Sequence, residues 1–367
     1  MSKFLGCVIL STGSKCAFVA HAACYASEIV TLMLEHNIIV IGTSAGGVEA
    51  LTYLVKHLPS DLNAAVIIVL HVSSHGTSVL PKILSRASNL PVSHAQDGEA
   101  IVRGSIYVAL PDYHLLVEKG YLRLMRGPKE NRCRPAIDPL FRSAARAYGQ
   151  RVIAVLLTGV LDDGTAGLMA VKMRRGVAIV QNPDDALYPD MPRNAIENVE
   201  DIDHILPLSD IPSILVALVN IPMEIEPENP IPSKMEFETE IVQLNLEAVE
   251  NEGERPGKPS TFGCPDCGGI LWEIEEGNLL RFRCRTGHAY SAETLLATQS
   301  DKVEDALWIA LRALEEKASL SHRIASRMEA RNQTLAARFK EEAHSAWERS
   351  AIIREVLLKV DPNTGVD

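Results

Sequence analysis

The sequence predicts an α/β protein built on a doubly wound, mostly parallel sheet, followed by a small zinc-ribbon-like module and a C-terminal helical hairpin. Three observations carry this reading. Between residues 37 and 220, short apolar runs alternate with helical stretches, the pattern of strands covered on both faces by crossover helices. Further on, cysteines and a histidine stand at metal-ligand spacing. Residues 301–359 contain neither proline nor glycine and are rich in Ala, Leu, Glu and Arg, as a long helix or a helical pair requires.

The first apolar run, 38–41, leads into a glycine-rich turn, after which Val48, Leu51, Leu54 and Val55 recur at helical spacing. Further strands are expected at 64–70, 105–110, 121–125, 152–157 and 176–180, with helices at 79–86, 138–148, 167–173 and 209–218. Residues 221–260 hold six prolines among many glutamates and read as a linker, with one short helical stretch at 237–249. The metal-ligand pattern occupies 261–297, and a helical tail spans 298–360, turning near Asn332. Residues 1–36 read as an extension, disordered or arising from an over-long start, with Met33 as an alternative first residue.

Composition narrows the function classes. The net charge is −11, with 47 acidic residues against 36 basic ones, which argues against general nucleic-acid binding. Seven cysteines, an odd number with three clustered at metal spacing, fit a reducing, cytoplasmic setting better than a disulfide framework. No apolar run reaches the length of a membrane span, so no membrane insertion is expected.

The segment IIVIGTSAGGVE (38–49) places Ser44 between a strand and a helix. Glycines at 42, 46 and 47 permit a tight turn, and unpaired N–H groups at the helix start suit a developing oxyanion. Gly42-Thr-Ser-Ala-Gly46 matches a nucleophile elbow, G-x-S-x-G. Alone it is equally compatible with a dinucleotide-binding or purely structural turn, although the full G-x-G-x-x-G is absent. His71 directly follows the 64–70 run, and Asp163 lies in a glycine-bounded loop after the 152–157 run. In a parallel sheet, working groups gather at such carboxyl ends. The ordinary alternatives are a solvated or packed histidine and a turn or helix-capping aspartate.

Several segments, in order, resemble blocks of the CheB methylesterase domain. They are IGTSAGG (41–47), VLH (69–71), YVALPDYH (107–114), PAIDPLFRSAA (135–145), TGVLDDG (158–164) and MPR (191–193), spread over roughly 180 residues. The resemblance implies a serine-hydrolase triad in the order Ser, His, Asp, unlike the Ser, Asp, His order of α/β-hydrolases. By motif, Ser44 is the nucleophile, His71 the general base and Asp163 the orienting carboxylate; Asp162 stands where the family usually has asparagine and is the competing choice. The implied reaction removes methyl esters from glutamyl side chains of proteins, with glutamine deamidation as a companion activity and no catalytic cofactor. The implied partner is a methylated protein such as a chemoreceptor, in chemotaxis-like signalling.

Val160, Ala45 and Asp190 depart from the family's usual methionine, threonine and glycine, which puts substrate identity in more question than chemistry. Chemotaxis members carry an N-terminal phosphoreceiver, for which 36 residues are too few, so activation by phosphorylation in cis is not expected; constitutive activity, regulation by the tail and a role outside chemotaxis are the alternatives. A catalytically weak signalling adaptor is the alternative function.

Cys264-x₂-Cys267-x₁₆-Cys284-x₃-His288 offers three thiolates and an imidazole for one tetrahedral structural zinc, closed to catalysis. Strands are expected at 271–275 and 279–283, with Arg281, Arg283 and Arg285 on a solvated basic strand. In the tail, Trp308, Leu311, Leu314 and Ala318 form one apolar stripe and Leu335, Phe339, Trp347 and Ile353 another. Packing within the hairpin, homo-oligomer formation through it and docking of a partner all remain open.

Overall fold

A computed structural model describes residues 37–72, 78–221, 230–245 and 257–359. The first unit is a seven-stranded sheet whose paired neighbours all run parallel. Its strands are β1 (Asn37–Thr43), β2 (Ala64–Leu70), β3 (Val92–His94), β4 (Ile106–Val108), β7 (Val152–Leu156), β8 (Val177–Gln181) and β9 (His204–Leu206), in the order β3-β4-β2-β1-β7-β8-β9. The residues 121–125 expected as a sheet strand instead form β6 (Tyr121–Met125), an antiparallel ribbon with β5 (His114–Glu118).

Helices α1 (Gly47–Lys56), α2 (Leu80–Ser85), α3 (Ile137–Tyr148), α4 (Thr165–Met173), α5 (Asp190–Asn198) and α6 (Ile211–Val219) cover the two faces. The period of two along a strand explains why both faces are apolar. Ile38 and Val40 pack into the core beneath α3 and α4, while Ile39 and Ile41 enter the opposite core with α1 and α6. Continuous apolar runs were therefore the right signal for these strands. The short β3, β5 and β9 and the helix α5 were not expected.

The helix expected at 237–249 lies at α7 (Ser233–Val242), where Met235, Ile241 and Val242 are buried. Beyond it is a four-stranded antiparallel sheet of β10 (Lys258–Gly263), β11 (Ile270–Glu276), β12 (Leu279–Cys284) and β13 (Ala289–Ser291). Two long helices, α8 (Ala292–Met328) and α9 (Gln333–Lys359), form the hairpin, whose turn includes Asn332 as expected. Leu311 and Ala318 are buried between them, whereas Trp308 and Trp347 are half exposed. Among the described residues no helix is long and apolar enough to cross a membrane.

The solvated basic strand expected at 281–285 is corrected by the structure. Arg281 and Arg283 of β12 are buried, and only Arg285 is exposed. Arg283 Nη2 reaches Glu130 Oε1 at 2.9 Å and Glu238 Oε1 at 3.2 Å; Arg281 pairs with Glu238 at 2.8 Å and Glu276 at 2.9 Å. Arg142 of α3 completes the cluster, 2.8 Å from Glu130. Alternation along β12 turns both arginines to the same face, and their carboxylates come from α7 (Glu238), from β11 (Glu276) and from Glu130 in the segment before α3.

Candidate active site

Strand register brings the nominated residues together. β1 pairs with β2 through Thr43↔Leu70 and with β7 through Gly42↔Leu156, so the next residues along each chain meet at one sheet edge. His71 N donates to Thr43 O (3.1 Å), and Ser44 N donates to Thr158 O (3.0 Å). β1 and β7 are also where the strand order reverses direction, the crevice in which doubly wound sheets hold their ligands.

Thr158 fastens this corner. Its carbonyl accepts from Ser44 N and from Thr43 Oγ1 (2.8 Å), while its hydroxyl donates to Ala45 O (3.0 Å) and accepts from Tyr188 N (2.8 Å). Gly159 must be glycine: a Cβ there would stand 2.2 Å from Met191 Sδ and 2.9 Å from Ser44 Cβ. Ser44 itself is half-buried, and the exposed side chains of Val160, Leu187 and Tyr188 belong to the segments packed around its turn. With Ser44 N and Gly47 N engaged, the amides of Ala45 and Gly46 take no backbone or side-chain acceptor among the described residues.

His71 Nε2 lies 2.7 Å from Asp163 Oδ2. Asp162, the competing carboxylate, turns away and accepts from Ser291 Oγ (2.7 Å) and Thr294 Oγ1 (2.9 Å). No hydrogen bond joins Ser44 Oγ to the imidazole among the described residues; Nε2 faces Asp163 and the ring also hydrogen-bonds Cys133, so Nδ1 is the nitrogen that would take a proton from serine.

Asp163 is buried and saturated with donors. Oδ2 accepts from His71 and from Ile137 N (2.7 Å), and Oδ1 from Asp138 N (3.2 Å) and Asn131 Nδ2 (3.0 Å). Ile137 and Asp138 open α3, so the carboxylate satisfies orphan amides and meets the positive end of that helix. Burial opposes its charge, but His71, the Ile137 amide and the Asn131 amide hold its pKa below the usual carboxylate range. Asp138 answers in kind: its Oδ1 accepts from Gly164 N (3.0 Å) and Gly167 N (2.6 Å) at the start of α4. Burial and the neighbouring Asp163 charge push the Asp138 carboxyl well above its ordinary pKa.

Burial would lower the pKa of His71, but Cys133 and the Asp163 carboxylate overcome it and raise it from 6.5 to about 10. The surroundings thus favour imidazolium, the form the ring takes on accepting a proton. Cys133, Asp138 and Asn131 were not picked out by sequence reasoning as members of this site. Asp138 lies within one of the resembling blocks, and Asn131 carried no signal at all.

The metal-ligand pattern also converges. Cys264, Cys267, Cys284 and His288 present ligand atoms that all lie within 4.8 Å of one another. Cys267 Sγ–Cys284 Sγ is 3.6 Å, Cys284 Sγ–His288 Nδ1 3.5 Å and Cys264 Sγ–His288 Nδ1 3.7 Å. A tetrahedron with Zn–S bonds of 2.3 Å has edges of about 3.8 Å, so the donor set fits zinc in both chemistry and spacing. Two tight turns build it, closed by Gly268 N to Cys264 O (2.8 Å) and Gly287 N to Cys284 O (3.0 Å).

Residues 39–215 match the family model described as CheB methylesterase. A Leptospira interrogans protein named "Putative protein-glutamate methylesterase/protein-glutamine glutaminase" is 37% identical over 186 residues, covering 50% of this chain and 96% of the relative. Protein-glutamate methylesterase/protein-glutamine glutaminase 1 of Rhodospirillum rubrum is 36% identical over 193 residues, covering 50% of this chain and 49% of its own. Its Paramagnetospirillum magneticum namesake is 40% identical over 180 residues, covering 48% and 47%. The crystal structure of the Thermotoga maritima CheB methylesterase catalytic domain covers 50% of this chain and 99% of its own, at 34% identity and a TM-score of 0.48.

Proposed function

The chain belongs to the CheB methylesterase family, and from that membership and the site's geometry we propose that it is a protein-glutamate methylesterase using Ser44, His71 and Asp163. The observation that carries this reading is the 2.7 Å bond from His71 Nε2 to the buried Asp163, one strand away from the Ser44 turn. In the proposed reaction His71 Nδ1 takes the Ser44 proton as Oγ attacks the γ-carbonyl of a glutamyl methyl ester. Asp163 holds the tautomer and balances the imidazolium. The amides of Ala45 and Gly46 are the donors available to the tetrahedral oxyanion, each such donor being worth roughly 10²–10³ in rate.

Collapse expels methanol, which leaves with the proton from His71; water then attacks the glutamyl-serine ester with the same base and releases the carboxylate. Deamidation of glutamine follows the same path with ammonia as the leaving group. The apolar rim of Val160, Leu187 and Tyr188 suits a neutral ester or amide better than the charged product. A methylated protein such as a chemoreceptor is the substrate class this implies. Cys264, Cys267, Cys284 and His288 are proposed to hold a structural zinc whose four protein ligands leave no open position.

Methanol release from a methylated chemoreceptor fragment tests the activity, with fluorophosphonate labelling as the test of the nucleophile. Ser44→Ala is expected to lower turnover by roughly 10⁴–10⁶ and to abolish labelling while leaving circular dichroism unchanged. A folded Ser44→Ala protein with undiminished turnover would refute the assignment.

A further inference from the structure

Residues 289–294 of the cysteine-bearing module reach into the neighbourhood of the proposed triad. Ala289 forms a bridge with Glu130, extending the module's sheet along residues 129–131. Asn131 N donates to Ala289 O (2.8 Å), and Asn131 Oδ1 accepts from Ser291 N (3.0 Å). The same side chain then turns both amide hydrogens on buried acids: Nδ2 donates to Asp163 Oδ1 and to Asp138 Oδ2, each at 3.0 Å. The partners define the orientation of this amide, since its oxygen faces an N–H and its nitrogen faces two carboxyl groups.

We propose that Asn131 is a positioning residue for Asp163, and that β13 completes the esterase site by holding Asn131 in place; this rests on the triad reading above. Asp163 has four donors for four acceptor positions and is 2% exposed, so no water replaces a donor that is lost. The Asn131 amide is also the group shared between Asp163 and Asp138, two adjacent buried carboxyls that would otherwise face each other with less compensation. Asn131 has φ 47°, a left-handed backbone that asparagine tolerates and that most side chains do not. A peripheral contact would need neither that conformation nor complete use of the amide. Beside it, Ser291 Oγ and Thr294 Oγ1 anchor on Asp162, and Asn194 Nδ2 donates to Glu293 Oε2 (2.9 Å). The module therefore holds Asp162 directly and reaches Asp163 through Asn131.

The test uses the full-length chain and the second-order rate of fluorophosphonate labelling at Ser44, which needs no identified substrate. Asn131→Gly removes the amide and keeps the backbone conformation accessible. It is expected to slow labelling roughly 10- to 100-fold, the equivalent of one hydrogen bond to a charged acceptor. It should also move the NMR resonance of the proton on His71 Nε2. Asp163→Asn is expected to slow labelling roughly 10⁴-fold, and adding Asn131→Gly to it should cost nothing further, because the effect passes through the carboxylate. On the module side, Ser291 has φ −72°, which proline accepts. Ser291→Pro should reproduce the Asn131→Gly loss, measured relative to Ser291→Ala, which keeps the N–H.

Normal labelling and an unmoved His71 resonance in Asn131→Gly, beside an inactive Asp163→Asn, would overturn this inference and leave the triad standing. Equal losses from Asn131→Gly in both backgrounds would do the same, since a general structural defect adds independently. Full labelling in Asp163→Asn would overturn the triad reading and this inference with it.

Discussion

Replacing Arg283 with methionine should uncouple the cysteine-bearing module from the catalytic sheet. Its side chain is 3% exposed and donates through Nη2 to Glu130 Oε1 (2.9 Å) and Glu238 Oε1 (3.2 Å), and through Nη1 to Gly287 O (2.9 Å). Methionine occupies similar volume but leaves Glu130 and Glu238 to the charges of Arg142, Arg281 and, for Glu238, Lys234. Breaking a buried ion pair from one side costs about 3–5 kcal/mol. Two lost hydrogen bonds to charged acceptors, at ~1.5–3 kcal/mol each, lead to the same range.

All three tryptophans, Trp272, Trp308 and Trp347, lie in the module and the hairpin, so fluorescence during urea unfolding reports on that half of the molecule. The midpoint should fall by the equivalent of about 3–5 kcal/mol, well outside the ~0.5 kcal/mol of an ordinary surface substitution. Arg283→Met with Glu130→Gln should recover part of the loss, because one of the stranded charges is then gone. The sign with pH follows from the carboxylates. Burial raises the pKa of Glu130 and Glu238, but the surrounding arginines more than offset it and hold both below their ordinary value. Their contribution is therefore complete above the unfolded carboxylate pKa and is lost as pH falls below it. A midpoint for Arg283→Met within about 0.5 kcal/mol of the parent would refute the view that this cluster holds the two units together.

Three further outcomes follow from the same geometry. Because Cys133 and the Asp163 carboxylate hold the His71 pKa above its ordinary value, labelling should accelerate as pH rises; Cys133→Ser should move that acid limb to lower pH, and an unmoved limb would remove Cys133 from the site. Burial raises Asp162 from 3.8 to about 6, so its contribution to stability is present at acid pH and declines as pH rises through that interval; Asp162→Asn should stabilise the protein by ~1–3 kcal/mol at about pH 8 and by nothing at about pH 4, as urea unfolding at both values would show. Metal analysis of the purified chain should find one zinc per molecule, and its removal by a chelator should shift Trp272 fluorescence as the β11–β12 sheet loosens; a metal-free protein with identical fluorescence would count against the site.

Much of the sheet was legible because parallel strands covered on both faces leave a local mark, a continuous apolar run. The 64–70 run became β2 with its expected bounds, and 38–41 became the core of β1. Short strands leave no such mark: β3 and β9 have three residues each, and their existence depends on a neighbour offering a ladder. Arg281 and Arg283 show the same limit for charge. Alternation told that they share a face, but only the arrival of α3 and α7, with Glu130 beside them, decided that the face is buried.

At the candidate site the division falls along the same line. The Ser44 turn, the two cysteine knuckles and the positions of His71 and Asp163 beyond apolar runs are products of local chain geometry, and local geometry is written in consecutive residues. Which carboxylate faces the imidazole was a tertiary matter, because Asp162 and Asp163 are neighbours whose side chains diverge toward different partners, one to Ser291 and the other to His71. Asn131 belongs wholly to that second category. Its contacts join residues 7, 32 and 160 positions away, and no spacing rule spans a distance that only the packing of β13 against residues 129–131 brings to 3 Å.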